Sequence, residues 1–184
     1  GRRLGLQRSG DVVDQLLHRV IDPHEHAGLL GIEVLVEGRF GDAGASYRVG
    51  HGREFVIEGD EYDSAFFDKT AKFLKYLPDI AVINNVEFDH ADIYEDLDAV
   101  RLAFKRLVAL VPRRGLVLLG ADSAEAAALA DGARSRVQTF GLGEGVTWRA
   151  TALQQQGTGT RFTLHGPSGL TATPPGPLPT PTIR

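Results

Sequence analysis

The chain contains no cysteine and no methionine, and none of its apolar runs approaches the length of a membrane-spanning helix. Without thiols there can be no disulfides and no thiolate metal sites, which fits a reducing cytosol. A spanning helix needs about 20 apolar residues in a row, so no membrane partner is expected. Basic charge is also short: 20 Lys and Arg against 24 Asp and Glu leave a formal net charge of −4, which gives no footprint for nucleic acid. No positively charged segment followed by an apolar one marks a signal peptide, and a cytoplasmic location is expected. The missing Met, with an opening of Gly1-Arg2-Arg3, implies a piece of a longer polypeptide. What is present is ordinary for a globular protein: 184 residues, 42% hydrophobic and 24% charged, enough for one domain with a real core.

Strand and helix signals alternate along the middle of the chain. Asp11–Ile21 has helical spacing with Pro23 beyond it, Leu29–Val36 reads as a strand, and Gly41–Gly50 as hairpin-like. Phe55–Ile57 is a short strand; Asp63–Tyr76 reads as a loop and then a short helix ending before Pro78. Ile80–Asn84, Leu116–Leu119 and Val137–Phe140 read as further strands. Between them, Asp96–Val111 repeats apolar residues at amphipathic helical spacing, and Ser123–Ala130 is an Ala-rich helix. This alternation argues for an α/β fold, a mostly parallel sheet flanked by helices. Thr147–Leu153 and Thr160–Leu164, separated by Gln-Gln-Gln-Gly-Thr-Gly, predict a small C-terminal β-hairpin. The tail from Thr171 holds five of the nine prolines and is expected to be disordered, forming neither helix nor paired strand.

Two of these strands end in polar chemistry. Phe55-Val56-Ile57 runs into Glu58-Gly59-Asp60-Glu61-Tyr62-Asp63, and Ile83 into Asn84-Asn85-Val86-Glu87-Phe88-Asp89-His90. Ligands of open α/β sheets collect beyond the carboxyl ends of the strands. The acidic cluster is either a solvated loop or a Mg²⁺ site, since Mg²⁺ is commonly held by one or two carboxylates plus substrate phosphates. Glu58, the first residue past the apolar run, is the best placed of the four. His90 is either a polar wall or a metal ligand; imidazole is a soft choice for Mg²⁺, and no second His or Cys at the usual spacing completes a zinc site. His24 and His26 read as exposed turn residues. Asn84 and Asn85 either cap the loop or meet a phosphate or sugar, and Lys69, Lys72, Lys75 and Lys105 read chiefly as surface charge.

The strings Phe55–Phe73 and Asn84–Tyr94, with Asp60-Glu61-Tyr62-Asp63-Ser64-Ala65-Phe66-Phe67-Asp68-Lys69 at the heart of the first, resemble the central domain of the Mur ligase family, and within it the murein-peptide branch. The resemblance covers about Ala45 to Leu164. It implies an incomplete central-domain fold with residues 1–44 as a divergent N-terminal segment, 45–166 as the ATP- and Mg²⁺-binding portion and 167–184 as the Pro-rich tail. It further implies an ATP-dependent, amide-forming ligase of peptidoglycan recycling. The full enzyme would join UDP-N-acetylmuramate to the L-Ala-γ-D-Glu-meso-diaminopimelate peptide. The muramoyl carboxylate attacks the γ-phosphate of ATP, and the peptide amine then displaces phosphate from the acyl phosphate. By the same resemblance Glu58 and His90 hold magnesium and carry the catalysis, and Asn85 lies on the nucleotide side. A carbamylated Lys, found in some relatives, is not expected at Lys105.

The departures from the family pattern are large. Residues 1–44 contain no Gly-Lys-Ser/Thr, although the family grips the nucleotide with a Gly-x-x-Gly-Lys-Thr-Thr loop. The expected His-Asn-x-x-Asn segment after Leu164 is absent, and so are the flanking domains that bind the UDP end and close over ATP. The chain alone is therefore expected to be inactive, and without its first strand its sheet is expected to expose an edge. A non-catalytic remnant and a metal-dependent phosphohydrolase built on the acidic cluster stand as alternatives.

Overall fold

The computed structural model describes residues 32–34, 47–49, 55–57, 59, 63–88, 93–157, 159–173 and 178–179. The Asp11–Ile21 helix, His24, His26, Glu58, Asp60, Glu61 and His90 lie outside them. The chain divides into two compact units, residues 16–76 and residues 1–15 with 77–184.

In the first unit, β1 (Ile32–Val34) lies between β2 (Tyr47–Val49), antiparallel to it, and β3 (Phe55–Ile57), parallel to it. β4 (Asp63–Ala65) and β5 (Asp68–Ala71) form an antiparallel hairpin, followed by a 3₁₀ turn at Lys72–Lys75. The loop expected over the start of Asp63–Tyr76 is thus a hairpin, and the short helix expected before Pro78 is a single 3₁₀ turn. The apolar residues that suggested helical packing do not share a face: Phe66 and Phe67 form the hairpin turn, 94% and 91% exposed, whereas Phe73 is 2% exposed. Asp68 sets the turn locally. Its carboxylate accepts from the Thr70 backbone N–H at 3.0 Å and the Thr70 hydroxyl at 2.5 Å, and pairs with Lys75 Nζ at 2.9 Å.

The Thr70 hydroxyl, with Lys75 beside it, holds the Asp68 carboxyl down from 3.8 to about 2. A depressed carboxylate stabilises the fold fully above its unfolded value and loses that contribution as pH falls through the folded one. The hairpin should therefore keep its Asp68 contacts at pH 4 and shed them on acidification toward pH 2. A carboxyl-carbon NMR titration should give a midpoint near 2; a midpoint at 3.8 would show that these contacts do not persist in solution.

The second unit is a seven-stranded sheet with layers of helix against it. Its order is β11 (Thr171–Ala172), β10 (Gly159–His165), β9 (Trp148–Gln156), β8 (Arg136–Gly141), β7 (Leu116–Gly120) and β6 (Ile80–Ile83), with β12 (Leu178–Pro179) also on β10. β6, β7, β8 and β9 are mutually parallel. Among the described residues β6 is an edge strand, paired only with β7. All five residues of β7 are buried, as a parallel strand covered on both faces must be, and this explains its unbroken apolar sequence. α1 (Leu97–Leu110) connects β6 to β7. It starts where Asp96 Oδ1 accepts from the Ala99 N–H at 2.8 Å and buries Val100, Ala103, Phe104, Leu107 and Val108, the face that its periodicity predicted. α2 (Ala124–Ala127), capped by the Ser123 hydroxyl on the Ala126 N–H, passes into a 3₁₀ turn at Ala128–Gly132 and leads to β8. Arg101 ties the two helices together: its Nε and Nη2 meet both Glu125 oxygens at 2.6 and 2.5 Å, and Nη1 reaches Asp98 at 2.6 Å.

β8 and β9 are parallel with only a six-residue connection, Leu142 to Thr147. A full crossover needs a dozen residues or more, but here only Phe140↔Trp148 and Gly141↔Arg149 are paired. β9 begins where β8 ends, so the chain need not return along the sheet. The predicted hairpin is β9 with β10 (Gly159–His165), antiparallel and part of the same sheet. The proline-rich tail is not wholly unpaired as expected: β11 (Thr171–Ala172) and β12 (Leu178–Pro179) both pair antiparallel with β10. They occupy the sheet's outer edge, the place where a residue without an N–H is tolerated.

Candidate functional site

β6, β7 and β8 end at one rim, where β9 begins, and the polar groups that the structure describes gather there. β6 gives way to Asn84 and Asn85. Asn85 is exposed, while Val86, 3% exposed, anchors the segment back into the core. The Asn84 Oδ1 atom is buried and has no hydrogen-bond partner among the described residues. An orphaned buried acceptor is costly and uncommon in folded proteins, and at a sheet's carboxyl rim it suits a donor brought by a ligand. At the end of the next strand, Gly120 lets the Asn84 backbone come into close approach: an ideal Cβ there would collide with the Asn84 carbonyl oxygen. Two residues on, in the loop leaving β7, the Asp122 carboxylate accepts from the Leu142 N–H just past β8, at 3.1 Å to Oδ2 and 3.3 Å to Oδ1.

Asn85 lies at this rim, two residues past the end of β6. The described residues hold no cluster of three His, Cys, Asp or Glu able to bind a metal; Glu58 and His90 are not among them, and neither is Asp60 or Glu61. Lys105 is exposed on α1. Lys75 is tied to Asp68 and lies in the other unit, so it reads as structural. The contributions of Gly120 and Asp122 escaped the sequence reading. A glycine closing an otherwise large, apolar strand was the available signal, because such a residue marks close backbone approach.

No helix among the described residues is long and apolar enough to cross a membrane. Residues 49–175 match the Mur ligase middle domain. The chain is 40% identical over 133 residues to the UDP-N-acetylmuramate–L-alanyl-γ-D-glutamyl-meso-2,6-diaminoheptandioate ligase of Haemophilus influenzae, covering 72% of this chain and 29% of that protein. It is 33% identical over 132 residues to the UDP-N-acetylmuramate–L-alanine ligase of Geotalea uraniireducens, covering 72% of this chain and 27% of that one. The crystal structure of the UDP-N-acetylmuramate:L-alanyl-γ-D-glutamyl-meso-diaminopimelate ligase from Neisseria meningitides superposes with a TM-score of 0.64 at 34% identity, over 88% of this chain and 49% of that one. The chain spans less than a third of the length of these curated relatives. With the parallel sheet, its polar rim and a match across residues 49–175, the chain belongs to the Mur ligase family, whose middle domain it carries.

Proposed function

We propose that this chain is the nucleotide- and magnesium-binding part of an ATP-dependent ligase of peptidoglycan recycling, acting on UDP-N-acetylmuramate and a murein tripeptide in the cytoplasm. The observation that carries this reading is the 40% identity to the Haemophilus ligase whose name states those substrates. Glu58 and His90 are the proposed metal-holding residues, and Asn85 the neighbour of the nucleotide. The described rim fits such a ligand set: an exposed amide at Asn85 and, among the described residues, an unpartnered acceptor at Asn84. Bound magnesium would neutralise phosphate charge and orient the γ-phosphoryl group. The protein's own part is to hold the carboxylate and ATP in line and keep water from the acyl phosphate until the amine arrives.

The absence of Gly-Lys-Ser/Thr from residues 1–44 favours a second reading for this polypeptide, a remnant that retains metal and nucleotide contacts without turnover. Calorimetry of Mg²⁺-ATP binding, run beside an ATP-turnover assay, separates the readings. Weak Mg²⁺-ATP binding is expected, weakened at least about tenfold in Glu58→Ala and in His90→Ala, with no turnover by the chain alone. Equal binding by parent and both variants would overturn the metal assignment. Steady ATP hydrolysis without an acceptor would point to a phosphohydrolase.

A further inference from the structure

The exit of the chain from β6 is determined by a residue on the neighbouring strand. The parallel register pairs Ile83 with Leu119, so Asn84 and Gly120 are the next pair along, at the rim. An ideal Cβ on Gly120 would overlap the Asn84 carbonyl oxygen and lie 2.9 Å from its carbonyl carbon and 3.3 Å from its Cα. All three neighbours are backbone, which cannot swing aside as the end of a side chain can. Gly120 is not among the residues with positive φ, so its need is for space and not for an unusual conformation. The arrangement recurs one strand over: a Cβ on Gly141, which closes β8, would lie 2.9 Å from Asp122 Oδ2 and 3.0 Å from Oδ1. At each step a strand-closing glycine receives a group from the loop leaving the preceding strand.

We infer that Gly120 is a positioning residue for the nucleotide-side rim. Its missing side chain lets the Asn84–Phe88 segment lie against the end of β7, which sets where the Asn85 amide and the unpartnered Asn84 Oδ1 are presented. The functional half of this inference rests on the proposed nucleotide role of that rim; the geometric half does not. Asp122, held by the Leu142 N–H, keeps the adjacent loop in place in the same way.

The test compares Gly120→Ala with Gly143→Ala, a substitution into open space. Backbone and Asn side-chain amide resonances are followed by NMR, together with Mg²⁺-ATP calorimetry. Gly120→Ala should move the Asn85–Phe88 resonances, the Asn85 side-chain amide included, while leaving Arg136–Gln138 in place, and should weaken Mg²⁺-ATP at least about tenfold. Gly143→Ala should do neither. Unmoved Asn85–Phe88 resonances in Gly120→Ala would overturn the inference. Moved resonances with unaltered nucleotide affinity would overturn its functional half. If the parent binds no Mg²⁺-ATP, the proposed function fails for this chain, and the resonances still decide the positioning. Should Gly120→Ala lose cooperative unfolding, the double variant Asn84→Gly/Gly120→Ala is measured, because glycine at 84 gives the exit loop other backbone conformations. Recovery of folding with moved resonances at 85–88 supports the inference, and failure to recover overturns it.

Discussion

Leu118→Ala is expected to lower the free energy of unfolding by about 2–5 kcal/mol, one of the two largest effects of any single substitution considered for this protein. Leu118 has no accessible surface and sits at the centre of β7, whose five residues are all buried. β7 is paired with β6 on one side and β8 on the other, with registers Leu118↔Val82 and Leu118↔Gln138. Both neighbours are fixed by backbone hydrogen bonds, so the sheet cannot close around the lost atoms and a cavity remains. Leu110→Ala, at the exposed end of α1, should change stability by no more than about 0.5 kcal/mol. Urea unfolding followed by far-UV circular dichroism measures both. A Leu118→Ala effect as small as that of Leu110→Ala would mean that β7 is not the centre of the core.

Trp148→Ala is the second, with an expected cost of about 3–5 kcal/mol. Trp148 opens β9 at the junction between the parallel strands and the antiparallel extension, and it is 5% exposed. Its ring packs on the backbone of Gly166, where an added Cβ would lie 2.7 Å from Cε3, and its Nε1 donates to Gln138 Oε1 at 2.9 Å. Removal of the ring empties the junction and strands a half-buried amide oxygen on β8. Trp148→Phe keeps most of the packing and loses the N–H, so it should cost much less, about 1 kcal/mol. Far-UV circular dichroism with denaturant measures the total, and hydrogen exchange locates it. Protection should fall first in β10 and β11, with β7 following only at the global transition. Uniform loss of protection across the unit would contradict the view of Trp148 as the pin of the extension. A cost below about 1 kcal/mol for Trp148→Ala would remove the ring from the core altogether.

Much of the second unit was legible because its signals are local. The strand at Leu116 is an uninterrupted apolar run, and its burial follows from two covered faces. α1 announced itself through the helical spacing of apolar residues over Asp96–Val111, while its Asp96 cap was seen only in the structure. The β9–β10 hairpin followed from its Gly-containing turn. The failures came where local and tertiary preferences differ. Over Asp63–Tyr76 the aromatic residues sit at helical spacing, yet the bonds from Thr70 to Asp68 turn the chain into a hairpin with Phe66 and Phe67 at its tip. In the tail, proline excludes a central strand but not an outer-edge one, and the open side of β10 offers such an edge to Thr171–Ala172 and Leu178–Pro179.

The sequence by itself determined the family, through strings dense in carboxylates, aromatics and amides. It also determined the α/β alternation, through periodicity and caps, and the exclusion of thiol chemistry, through composition. These are properties of residue type and spacing, which a chain carries before it folds. Only the tertiary structure decided that Asn84 meets Gly120, that its Oδ1 is buried without a partner among the described residues, and that Asp122 holds the loop after β8. Those relations join residues twenty to forty positions apart. They depend on the register of one parallel strand against the next, and the alternation of apolar and polar residues does not encode that register.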